Sequence, residues 1–136
     1  MKILLAMLMC VPMLCASIPT GAAESPPPER AAGCIKRIKD AVGCFTGQTA
    51  YRVMLCKLKI QLGETEGCFT NGEHDLADYY EATLKRFSKN KAAQSMTKDY
   101  YAQWRSTMSA IVTRSPEASR MEADLRQKSE RLELEK

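Results

Sequence analysis

The amino-acid sequence predicts an all-α protein: a small disulfide-stapled helical hairpin, two further core helices and an exposed C-terminal helix. Three observations lead there. From residue 31 onward apolar residues recur at three- and four-residue steps, the spacing of one helical face. Only Leu58-Lys59-Ile60-Gln61-Leu62 alternates as a strand would. Four cysteines, Cys34, Cys44, Cys56 and Cys68, are separated by nine, eleven and eleven residues, which suits disulfides and not the close pairs of a zinc site. The 136 residues set one domain as the upper bound, since a domain takes about 100 to 200. They are too few for a TIM barrel or a full dinucleotide-binding enzyme domain.

The first segment, residues 1–23, reads as a secretory signal peptide. Lys2 precedes an apolar run from Ile3 to Leu14, and small residues follow up to Ala22-Ala23. The run is shorter than the ~20 residues a spanning helix needs, and Pro12 interrupts it. Cleavage after Ala23 removes Cys10 and Cys15, leaves no stable membrane anchor and lowers the apolar share from 45% to about 39%. The four remaining cysteines then sit in an exported chain, where disulfides persist.

A Pro-rich leader, residues 24–30, contains Pro26-Pro27-Pro28 and is extended, because consecutive prolines fix φ and donate no hydrogen bonds. The disulfide-stabilised helical domain occupies residues 31–113. Its first helix is expected over Glu29 to Gly43, with Ala31, Cys34, Ile35, Ile38, Val42 and Phe45 on one face. A second segment, Thr49 to Leu62, lies between Gly47 and Gly63; Tyr51, Met54, Leu55, Leu58 and Leu62 form its helical face, and its length favours helix over strand. A third helix is expected over Glu73 to Ser88, with Leu76, Tyr80, Thr83, Leu84 and Phe87 inward. Its acidic residues Glu73, Asp75 and Asp78 sit early, where the helix dipole favours them. A fourth runs from Ala92 to Thr113, with Tyr100, Tyr101, Trp104, Met108 and Ile111 toward the core.

The charged C-terminal helix, residues 114–136, starts at the signal Ser115-Pro116-Glu117 and carries only Ala118, Met121, Leu125 and Leu132 as an apolar line. Glu122 with Arg126 and Asp124 with Lys128 are spaced as i,i+4 pairs. Such a helix is thinly packed or waits for a partner.

An internal repeat accompanies the cysteines. Cys34 to Gly47 and Cys56 to Gly72 each read cysteine, amphipathic segment, Gly-Cys-Phe-Thr and a glycine break. Gly43 and Gly67 are placed to end helices, Thr46 and Thr70 to cap the next segment, and Phe45 and Phe69 to pack beside the cysteines. On one continuous helix Cys34 and Cys44 would be about 15 Å apart, beyond bridging distance. The nested pairing, Cys34 with Cys68 and Cys44 with Cys56, shares one midpoint as a hairpin requires and is favoured. The like-to-like pairing, Cys34 with Cys56 and Cys44 with Cys68, stands second. The nested pattern loosely resembles helical hairpins with twin spaced cysteine pairs, but its unequal spacings and export signal depart from them, so no activity is implied.

Catalytic chemistry is not found. His74 beside Asp75 is the only imidazole and carboxylate pair, and no P-loop, G-x-S-x-G, H-E-x-x-H or dinucleotide fingerprint occurs. Glu64 and Glu66 lie in a solvated acidic turn. No metal, cofactor or catalytic residue is therefore assigned, and an enzyme is not expected.

Charge alternates along the chain. Cys34 to Gln61 carries six basic residues, Leu62 to Glu81 six acidic, and Ala82 to Thr113 six basic again. No basic cluster exceeds two adjacent residues, and nucleic acid is not an expected partner. The sequence points to a small exported binding protein that acts by protein contact, such as a periplasmic adaptor, inhibitor or immunity-type factor. A secreted effector or toxin-like protein acting on host surfaces or membranes is the alternative. Tyr79, Tyr101, Met121, Leu125 and Leu132 are the expected contact residues for an unknown protein partner, because each adjacent tyrosine pair has a surplus ring and the last helix has a spare apolar line.

Overall fold

The computed structural model describes residues 30–136; the signal segment and all but the last residue of the leader lie outside them. Five helices succeed one another: α1 (Ala31–Ile38), α2 (Ala41–Gln61), α3 (Cys68–Arg86), α4 (Lys91–Val112) and α5 (Ala118–Glu133). Among the described residues there is no strand. Each helix packs on the next, and α2 also touches α4 and α5, so α2 and α4 hold the centre.

The helix expected over Glu29 to Gly43 is two helices. Lys39 adopts the left-handed conformation, φ 55°, and its N–H returns to the Ile35 carbonyl at 2.7 Å, the αL way of ending a helix. Asp40 then starts α2: its carboxylate accepts the Gly43 N–H at 2.8 Å, as an N-cap aspartate does. Gly43, Thr46 and Gly47, expected to break or cap, lie inside α2. The Thr49–Leu62 segment is helical as expected, and begins eight residues earlier.

That break corrects the disulfides. Cys34 pairs with Cys44, Cα atoms 6.0 Å apart, and Cys56 pairs with Cys68 at 5.3 Å. Neither the nested nor the like-to-like pairing occurs. The 15 Å estimate fails because the chain reverses at Lys39-Asp40 and brings α1 back onto α2. The repeat acquires a structural meaning: each Gly-Cys-Phe-Thr lies in the opening turns of a helix, and its cysteine bridges back to the helix before.

α2 ends in a Schellman motif. Gly63, φ 81°, donates to the Ile60 carbonyl at 3.1 Å, and Glu64 to that of Lys59 at 2.8 Å. α3 starts at Cys68, directly after Gly67 at φ 71°, rather than at Glu73, so its acidic residues fall beyond the first turn and Thr70 lies within the helix. α4 matches its expected span to one residue at each end. Asn90 caps it by accepting the Ala93 N–H at 3.0 Å. Arg114, φ 54°, closes it with a second Schellman motif, Arg114 to Ile111 at 3.1 Å and Ser115 to Ala110 at 2.8 Å.

The core joins Trp104, Tyr100 and Met108 of α4 to Phe45 of α2, Leu76 of α3 and Leu132 of α5. Five threonines are buried with them, Thr46, Thr49, Thr83, Thr97 and Thr107. Each hydroxyl donates to a carbonyl three or four residues back in its own helix, which satisfies a polar group that burial would otherwise leave costly. Tyr100 and Thr49 also share a hydrogen bond, and the Trp104 indole N–H donates to the Thr49 carbonyl at 3.2 Å.

The last helix is exposed along its outer side, as its charge predicts. Its apolar line is not spare, however. Leu125 and Leu132 are buried against the rest of the core. Two of its charged residues reach other helices, Glu122 pairing with Lys57 at 2.9 Å and Lys128 with Asp99 at 3.3 Å, while Arg120 with Glu117 at 2.6 Å and Lys136 with Glu133 pair within the segment. Lys136 pairs with the capping carboxylate of Asp40.

Candidate interaction surface

α2 carries apolar residues on two opposite sides. At about 100° per residue, Val42, Phe45, Thr49, Val53, Cys56 and Ile60 make one row, and Tyr51, Met54, Leu58 and Leu62 make another roughly half a turn away. The first row is the one that packs inward. The Cys56–Cys68 bridge agrees with that choice, because Cys56 lies in the inward row and ties the last third of α2 to α3, whereas Cys44, two residues on from Val42, ties the start of α2 to α1 on the opposite side. The second row is left in solvent: Tyr51 is 46% exposed, Met54 62%, Leu58 52% and Leu62 69%.

Periodicity alone singled out this second row as the helical face and implied that it was core. The error has a cause. The inward side carries Thr46, Thr49 and Cys56 among its apolar residues, so the outer row looks more apolar. Six inward positions at helical spacing, with Thr49 counted as buriable, were the signal available in the sequence.

The flanks of the row are polar and structured. Arg52, on one side, is mostly buried and pairs with Asp75 of α3. Its Nε is buried with no hydrogen-bond partner. It lies beside a small cavity of about 50 Å³ that Lys59 and Asn71 also line, room enough for a bridging water. On the other side Lys57 reaches Glu122. Between α2 and α5 runs a groove of about 440 Å³, lined by Ala50, Val53, Lys57, Leu125 and Arg126 and reaching Tyr100. Burial pushes the Tyr100 hydroxyl above its ordinary pKa, helped by the charge of Glu133 and opposed by hydrogen bonds with Thr49 and Ser129. A tyrosine held neutral in this way is a hydrogen-bonding group, not a base.

The contact residues expected from sequence are placed elsewhere. Tyr79 is 2% exposed and belongs to the core. Tyr101 is half-buried, stacked between Tyr80 at 4.6 Å and Trp104 at 5.7 Å. Burial and the neighbouring Glu73 raise its pKa against the pull of Arg105. Met121 is half-buried on α5, and Leu125 and Leu132 are buried. These five do not form one outward surface. Tyr51, Met54 and Leu58 of α2 and its C-cap Leu62 do, along about three turns.

His74 is exposed on α3, its Nδ1 3.9 Å from Asp75, and it is not part of this face. Among the described residues no three metal-ligating side chains cluster, and no helix is long and apolar enough to cross a membrane. Comparison with protein families, curated proteins and solved structures finds no match for the chain. Two disulfides fit a non-reducing compartment.

Proposed function

We propose that this is a small exported protein that acts by protein contact, as an adaptor, inhibitor or immunity-type factor does, and that the outer face of α2 is its contact surface. One observation carries the reading: Tyr51, Met54, Leu58 and Leu62 stand in solvent on a helix that two disulfides hold in place. Scattered exposed apolar residues need no explanation, but a contiguous row on one rigid element is what interaction sites use. Helix-in-groove recognition reads anchors at this spacing, and a pre-organised helix loses little entropy when it binds. The signal segment and the disulfides together support export.

Cross-linking in the exporting cell tests this. The wild-type chain should give a discrete adduct that Met54→Glu with Leu62→Glu removes, while the helical signal and both disulfides persist. Adducts unchanged by the double substitution would remove α2 as the contact surface.

A further inference from the structure

We propose that the occupant of the α2 face is a second copy of this chain, the two α2 helices packing antiparallel about a two-fold axis. This rests on the contact-surface reading above and names the partner for that surface.

The spacing of the row is self-complementary. Tyr51, Met54, Leu58 and Leu62 step by three, four and four residues. An antiparallel copy placed over the middle of the row sets Tyr51 against Leu62 and Met54 against Leu58, in both directions at once, because the two pairs have nearly the same midpoint. A two-fold contact requires one patch that matches itself, and steps of three and four form the seam along which two helices interdigitate at a shallow angle.

Charge favours the same orientation. α2 is preceded by the exposed Lys36 and Lys39 and followed by the exposed Glu64 and Glu66. Antiparallel pairing carries each acidic turn toward the basic end of the other copy, whereas parallel pairing sets like against like. Lys57 lies level with the proposed axis, where it approaches its own symmetry mate. Glu122 already pairs with it at 2.9 Å, so that position carries no uncompensated cation.

Area then sets the strength. At 46–69% exposure the four side chains offer roughly 300–400 Å² of apolar surface per copy. That is about half of the ~800 Å² per partner in a standard interface, with the rim of the α2–α5 groove as the remaining contact. The dimer is therefore weak, with half-dissociation in the micromolar range.

Sedimentation equilibrium of the purified, disulfide-bonded protein, with no other component, is the test. A reversible dimer is expected. Leu58→Glu should raise its dissociation constant by about 100-fold or more, since it buries a charge at the centre of the row, with unchanged helicity; Leu62→Glu serves as a second variant. Glu64→Lys with Glu66→Lys should weaken the dimer about 3- to 10-fold at low salt. Adding Lys36→Glu and Lys39→Glu to the same chain should restore it. A protein that stays monomeric at about 500 µM, well above that range, overturns the proposal, as does a dimer indifferent to Leu58→Glu. Flotation of a monomeric protein with phosphatidylglycerol vesicles, abolished by Leu58→Glu, also overturns it by making lipid the occupant. A monomer with α2-dependent protein adducts in the exporting cell refutes only the second copy and leaves the contact surface standing.

Discussion

Replacing Gly47 by alanine should make the protein more stable, and replacing Gly43 should not. Gly47 sits in the interior of α2 on its exposed side, and a β-carbon there would meet nothing within 4 Å. Glycine inside a helix costs about 0.8–1.0 kcal/mol relative to alanine, and no new contact offsets that gain. Gly47→Ala should therefore add about 1 kcal/mol, or roughly 4–8 °C in Tm for a domain of about this size. At Gly43 the added β-carbon would stand 2.6 Å from Asp40 Oδ2 and 3.0 Å from its Cγ. The carboxylate must then leave the N–H it caps at 2.8 Å, a loss of about 0.5–2 kcal/mol, typically about 1, that offsets the gain in helix propensity. The two variants should thus differ by roughly 0.5–2 kcal/mol although the sites are four residues apart. Urea unfolding at low protein concentration, followed by circular dichroism and tryptophan fluorescence, measures both without interference from self-association. A Gly47→Ala variant less stable than the parent would refute a continuous α2 and restore the glycine break that the repeat suggested.

Other substitutions separate what α5 buries from what it shows. Leu132→Ala should cost about 2–5 kcal/mol, because Leu132 has no exposed surface. Leu134→Ala, at 84% exposure, should stay within about 0.5 kcal/mol of the parent. Equal effects in a denaturant titration would mean that α5 is not docked. The pH dependence has a definite sign at the alkaline end. Because the Tyr100 pKa is raised in the folded state, its contribution is complete below the ordinary tyrosine value of 10.0 and is lost as pH rises through the folded value. The urea midpoint should fall as pH rises above about 10, and it should fall less in Tyr100→Phe. An identical fall in both would assign the alkaline loss to other groups.

Most of the architecture was legible in the sequence, and the failures share a cause. α4 is bounded by local chemistry at both ends and carries a dense aromatic stripe, so its span and inward residues were readable. α1 and α2 were fused because Ile35, Ile38, Val42 and Phe45 keep helical spacing across the break, while Lys39 has no glycine's preference for the left-handed region. Asp40, three residues before Gly43, was the available N-cap signal. The disulfide error stems directly from that fusion. The outer face of α2 was read as the packed one for a different reason: which side of a doubly apolar helix turns inward is decided by the Cys56–Cys68 bridge and by α3, α4 and α5, none of which periodicity within α2 can see. Tyr79 and Tyr80 were exchanged because both fit an apolar stripe of α3, and Phe45, 6.0 Å from the Tyr80 ring, holds Tyr80 at the edge of the aromatic cluster.

The chain contains one tryptophan, and its position makes it an optical gauge of the junction. Trp104 belongs to α4, stacks 6.1 Å from Phe69 of α3 and donates its indole N–H to a carbonyl of α2. An indole so enclosed emits at short wavelength, and water reaching it from any of three directions shifts the emission to the red. A red shift at constant helicity would therefore mark helices that have parted without unwinding, a state that far-ultraviolet dichroism alone would score as native.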